Sequence, residues 1–324
     1  MRRGVAMLGM VVVTVMWSSA GVVTRQLEHA ASFETTFWRS LFNAAALLLG
    51  LSLFRGGMLL KGWRHLGWRL WASGLCWAFM FTSFMCAITL TTVANVLVTM
   101  ALSPLFTAVL GWVLLRTPVS RSTQLAMLGA GMGLVIMFAQ GLQVHSLRHV
   151  LGTSLALLVP LSASLNWVLL KSQHGSEPAL AQGDVIQTVA EGASLAQARW
   201  VPAILIGAVL SALFTGPMAM PFQASAADLA WLAGLGVFQL AIPCGLVVVL
   251  TAHLEAHEVA LLSLLEVIFG VTAAWLWASE PLAPAQWLGG GLVLASMAWH
   301  ALQPHPEARH GGRGMVSGSS GAQP

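Results

Sequence analysis

Apolar positions along this chain run together instead of alternating. Ten such runs can be drawn, at about residues 5–24, 35–54, 68–90, 94–115, 123–140, 150–170, 199–216, 228–250, 258–277 and 284–301. Runs of roughly 18 or more apolar residues read as helices that cross a bilayer. Barrel strands would instead alternate over about ten residues, and no such segments appear. The pattern predicts an all-α polytopic membrane protein with ten transmembrane helices. The first run is too long for a cleaved leader and lacks a well-placed small-residue cleavage site.

Between the runs, the basic residues set an orientation. With the N-terminus in the cytoplasm, twelve of the fifteen Lys and Arg residues fall on the inner side, leaving Arg25, Arg39 and Arg148 outside. Basic residues favour the cytoplasmic side, so both termini are expected there. Residues 171–198 form a long polar cytoplasmic loop. Residues 303–324, rich in Gly, Ser, Pro and His, read as a disordered tail.

Composition agrees with the pattern. Only 8% of the 324 residues are charged and mean hydropathy is +0.79, against about 25% charged in soluble domains. The net charge of +4 does not point to nucleic acid, because the basic residues sit at span ends without a basic-aromatic face. Cys76, Cys86 and Cys244 all lie in spans with no metal-ligand spacing and read as buried thiols.

The chain also resembles itself. A shift of 163 places Trp112 on Trp275, Pro118 on Pro281, Ser103 on Glu266 and Pro104 on Val267. One residue fewer in the second turn aligns Gln124 with Gln286 and Gly129 with Gly291. Spans four and five thus match spans nine and ten. A repeat of five helices, an odd number, turns its second copy upside down, the architecture of alternating access. The copies are expected at 1–140 and 150–301.

Five short motifs occur in order: Trp17-Ser18-Ser19, Arg39, Leu102-Ser103-Pro104-Leu105-Phe106, Leu265-Glu266-Val267-Ile268-Phe269, and Ser279-Glu280-Pro281-Leu282. In this the chain resembles EamA-type members of the drug/metabolite transporter superfamily over about residues 5–301. The resemblance implies a secondary transporter of small organic metabolites such as amino acids, with export the leading direction, in a bacterial inner membrane. Import of a vitamin or nucleotide-like compound is the alternative. Thr117 stands where the first repeat usually has a Glu, and Val267 where the ninth helix usually has a Pro. That ninth helix is therefore expected to run unbroken.

Glu266 is the one acid deep in a span, nine residues in from His257, or about 13.5 Å at the helical rise. A charge near the bilayer centre costs about 2.5–3.5 kcal/mol on insertion scales. It needs a cavity, a partner or a proton, and is the candidate for proton coupling. A structural acid bonded within the bundle is the plainer alternative. Polar stripes at helical spacing add Trp17, Ser18, Asn95, Thr99, Ser103, Asn166 and Gln239 to the expected substrate pathway. Packing between helices would explain the small hydroxyl residues equally well.

Arg39, Pro104, Trp112, Trp275 and Glu280 read as structural motif residues, with Arg39 snorkelling to the outer interface and Glu280 capping a helix. Trp63, Trp68, Trp71, Trp200, Trp231 and Trp287 fit interfacial belts. Trp17, Trp77 and Trp167 lie deeper and could form an aromatic wall. Gly129 with Gly133, and Gly289 to Gly291, allow close helix approach, within the chain or across a homodimer.

No phosphate-loop or dinucleotide pattern and no cofactor motif occurs. His253 and His257 share a helix face, but Glu255 is misplaced for a zinc protease. A metalloenzyme is thus a remote alternative, and no catalytic or metal residues are expected. The expected partners are a small-molecule substrate and the bilayer.

Overall fold

A computed structural model describes residues 3–24, 26–53, 67–91, 96, 99–100, 102–116, 119–138, 147–171, 199–278 and 284–302. Among these the regular structure is helical. The elements are α1 (Arg3–Thr24), α2 (Ser32–Leu53), α3 (Gly67–Leu90), α4 (Ser103–Leu115), α5 (Arg121–Phe138), α6 (Leu147–Lys171) and α7 (Val201–Ala219). Then come α8 (Ala226–Gly234), a π-helical segment (Leu235–Ala241), α9 (Ile242–Leu250), α10 (Ala256–Ser263), α11 (Leu265–Ala278) and α12 (Pro284–Leu302). Among the described residues, six helical stretches are long and apolar enough to cross a membrane, counting α8 through α9 as one. Nine of the ten predicted runs fall on described helices to within a few residues, and the fourth, 94–115, is matched by α4 from Ser103 onward. Asn95, Thr117, Glu280, the 172–198 stretch and the tail from 303 lie outside the described residues.

Helix contacts pair off in a revealing way. α3 packs on α6, and the π segment with α9 packs on α1. α4 packs on α6, and α11 on α1. α7 crosses α3, while α2 crosses α8 and the π segment. α2 meets α7, and α5 meets α12. Exchanging the first five spans with the second five maps this list onto itself. Two five-helix copies related by a two-fold would give that pattern.

Small residues set the closest crossings. A Cβ on Gly133 would lie 2.6 Å from the Gly289 carbonyl, so α5 and α12 meet backbone to backbone. The predicted close approach of the two glycine clusters is thus made here within the chain. Gly236 does the same where the π segment crosses α2, its backbone lying against Arg39 and Asn43.

Two expectations change. Trp200 is buried at 1% exposure, not in a lipid-facing belt, because it folds under the start of α7 into the main core. The ninth span is not continuous. A turn at Leu264 separates α10 from α11, with Leu264 N–H donating to Leu261 O and Val267 N–H to Leu264 O, both three residues back. No proline is needed. The Ser263 hydroxyl donates to Val259 O at 2.7 Å, a back-bond that tends to bend helices.

At the end of the bundle where α2 and α8 begin, carboxylates hold main-chain amides. Glu34, fully buried, accepts from the amides of Gln223 and Ala224. Asp228 accepts from the amides of Glu28, His29 and Ser225. These bonds fasten the α1–α2 connection to the α7–α8 connection.

Candidate functional site

A cavity of about 110 Å³ opens among the helices. Its wall collects residues from distant parts of the chain. Trp17 comes from α1, Arg39 from α2, and Trp77, Met80, Phe81 and Phe84 from α3. Ser103 comes from α4, Pro160 and Trp167 from α6, Gln239 from the π segment and Cys244 from α9. Ser263, Leu264, Glu266 and Val267 come from the α10–α11 interruption. Local backbone features thus put polar groups on this wall. Glu266 sits in the first turn of α11, where the helix dipole favours negative charge. Gln239 sits in π geometry, which often marks functional sites.

Among the described residues, Arg39 and Glu266 are the charged groups of this wall. They are near enough for their charges to act on one another. Arg39 is 2% exposed and its Nε has no hydrogen-bond partner. Glu266 keeps some open surface, and that surface faces the cavity. Trp77 Nε1 and Gln239 Oε1 are also buried and unpartnered. Buried polar atoms are normally satisfied, yet three residues of the cavity wall each keep a polar atom without a partner, alongside the carboxylate of Glu266.

Aromatic rings make up much of the remaining wall. Trp77 and Trp167 meet edge to face with centroids 5.7 Å apart, and Trp77 lies 5.5 Å from Phe81. Trp17 is fixed at both ends. Its carbonyl receives the Gln239 amide at 3.4 Å and its side chain bonds Cys244.

The structure therefore brings Trp17, Ser103, Gln239 and Glu266 together. It adds Arg39, which turns inward against the π segment instead of snorkelling outward. Ser18 does not line the cavity, and its hydroxyl donates to Val15 O on its own helix. Asn166, fully buried, accepts from Ser73 at 2.6 Å between α6 and α3. Thr99 is buried away from the wall. Pro104 occupies the first turn of α4 and lies buried, whereas Trp112 is exposed on the bundle's outside. Trp275 belongs to α11, with its side chain outside the described set. Met80, Phe81 and Phe84 were not singled out from sequence. Their only signal was four-residue spacing from Trp77 and Met80 along one helical face.

Comparison with known proteins places this geometry. A model of the EamA-like transporter family matches residues 4–139 and 184–301. None of the curated proteins compared with the chain matches it. A solved structure titled only as the crystal structure of a protein superposes with a TM-score of 0.72 at 16% identity. That match covers 92% of this chain and 98% of the other. At that identity the likeness is one of fold.

Proposed function

Since the chain belongs to the EamA-like transporter family, we propose that it is a secondary-active exporter of small organic metabolites such as amino acids, working by alternating access. In this reading it lies in a bacterial inner membrane with both termini in the cytoplasm. The ten spans form two inverted copies, and the cavity between them is the substrate site.

One observation carries the substrate class: Arg39 and Glu266 share one aromatic-walled cavity. A zwitterion satisfies both charges at once. Its carboxylate takes the guanidinium fork, with Trp77 Nε1 as a second donor. Its ammonium takes Glu266 and the free Gln239 oxygen. Its side chain is buried among Trp17, Trp77, Phe81 and Trp167, where ring faces also attract a cationic head. The volume favours this reading over a nucleotide-sized substrate, because pockets for drug-sized ligands run to roughly 300–1,000 Å³.

With no substrate bound, Arg39 is the counter-charge for Glu266. A buried carboxylate in a membrane otherwise carries a large penalty. Glu266 is also the group through which a proton would be coupled, by taking one up as the ammonium leaves.

The test is flux in proteoliposomes, measured in both directions with zwitterionic amino acids, their decarboxylated amines and their N-acetylated acids. Zwitterions are expected to be preferred at least tenfold over both. Arg39→Gln is expected to erase the discrimination against amines, and Glu266→Gln that against acids. Equal rates for all three classes in the unmodified protein overturn the reading. A gradient dependence that persists unchanged in Glu266→Gln removes Glu266 as the proton carrier.

A further inference from the structure

The short helix α10 separates the cavity from the end of the bundle where α1 begins. Its eight residues run from Ala256 to Ser263. At one end Ala260, Ser263 and the Leu264 turn line the cavity. At the other, Glu258 is 2% exposed and lies in a cluster of side chains. Arg3 of α1 donates to Glu258 Oε1 through both Nη2 and Nε, the latter at 3.2 Å. His300 of α12 approaches the same oxygen, with Nε2 at 3.7 Å. His257 stacks edge to face on His300 with ring centroids 6.5 Å apart. Ahead of α10, Glu255 is paired with Lys171 of α6 at 3.0 Å, and the same ammonium reaches Leu254 O at 3.4 Å.

The two ends of the bundle are therefore closed by different chemistry. Where α2 and α8 begin, Glu34 and Asp228 hold backbone amides. Releasing those bonds would strand several main-chain donors, which is costly when buried. Where α1 begins, the ties from Arg3 to Glu258 and from Lys171 to Glu255 join side chain to side chain. Arg3 is 28% exposed and Glu258 2%, so on release the guanidinium can turn to water while the carboxylate keeps the Glu255 amide at 2.9 Å. Helix α10 cannot swing away from the α1 end while Arg3 holds Glu258, and at its far end the Leu264 turn interrupts the regular α-helical run.

We propose that α10 is a gate for the cavity, hinged at Leu264 and latched by Arg3 on Glu258. Breaking the latch opens the cavity toward the face that carries the N-terminus. The proposal rests on the alternating-access reading but needs neither the substrate nor its direction.

The test uses Ser263→Cys in a full-length protein whose Cys76, Cys86 and Cys244 are replaced by Ser. Labelling by a membrane-impermeant maleimide is measured from each face of sealed vesicles. The faces are assigned by protease access to an N-terminal tag, so the result does not depend on the orientation read from sequence. Glu258→Gln and Arg3→Gln are each expected to raise labelling at least threefold from the tag face and leave the opposite face unchanged. The double substitution should add little to either single one, because both break one contact. No rise, an equal rise from both faces, or a rise in the double substitution equal to the product of the singles overturns the latch. An absence of transport with the labelling pattern intact counts against the transport reading alone.

Discussion

The chain interrupts a helix twice beside the cavity, and the two interruptions are made differently. Before α4, Leu102 turns between helical Met100 and Ser103, and Pro104 in the first turn of α4 has no amide to continue the ladder. The Ser103 carbonyl is then claimed by Thr107 at 2.8 Å and Ser164 at 2.9 Å. At Leu264 there is no proline; the neighbouring Ser263 hydroxyl back-bonds Val259 O, and two residues on stands the carboxylate of Glu266. One break carries a proline and is stitched to another helix by hydroxyls. The other has no proline and carries a carboxylate. The difference suggests a division of labour between the breaks: the first is a fixed part of the wall, and the second is the moving part that carries the carboxylate, while Arg39 of the first copy supplies the cation.

The largest expected effect comes from separating the charges. Breaking a contacting buried pair costs about 3–5 kcal/mol, whereas removing both partners is often near neutral. Arg39 and Glu266 share the cavity without direct contact, so Arg39→Gln and Glu266→Gln should each lower thermal stability in detergent by less than that and reduce flux at least tenfold. The double substitution should recover most of the stability and none of the flux. If Ser103→Ala proved as damaging as Glu266→Gln, the two breaks would be equivalent and the comparison would fail.

A smaller effect tests whether the Leu264 turn is a true break. Proline inside a helix costs about 3 kcal/mol or more, but is tolerated in a first turn. Val267 lies in the first turn of α11 and its amide makes one three-residue bond to Leu264 O. Val267→Pro should therefore cost about 1 kcal/mol, the value of a single hydrogen bond. Val248→Pro, at a fully buried position within α9, should cost about 3 kcal/mol. Equal losses in thermal unfolding would mean the ninth span is effectively continuous.

That break also marks where the sequence stopped being legible. Apolar runs locate helices because length and hydropathy are local properties, and the α4 break is written in Pro104. Nothing local announces the turn at Leu264. The run Leu261 to Phe269 has neither glycine nor proline, and its one hydroxyl, Ser263, acts through a back-bond to Val259 O that only the structure reveals. Arg39 was misleading for the same reason. One turn inside a helix, an arginine can snorkel outward, and only the approach of Gly236 to its backbone shows that the π segment lies beside it. Ser18 and Asn166 had the right spacing and depth, but a polar stripe does not say which groups satisfy one another. Here Val15 O takes up the Ser18 hydroxyl, and the Ser73 hydroxyl takes up the Asn166 side-chain oxygen. Trp77 and Trp167 were placed correctly in depth, while their mutual contact depends on how α3 packs on α6.

The smallest effect probes the stitching of the first break. Ser164 on α6 donates to Ser103 O and receives the Thr107 hydroxyl at 2.8 Å, all three groups being buried. Ser164→Ala removes one donor to a carbonyl that Thr107 still satisfies, so the loss should be about 0.5–1 kcal/mol. Thr107 then loses an acceptor but keeps Ser103 O as another. If the first break is a passive wall, flux should fall less than twofold while thermal stability drops by that small amount. A Ser164→Ala protein with normal stability and strongly altered flux would show that the hydroxyl-bound break moves during transport, and would assign motion to both breaks instead of one.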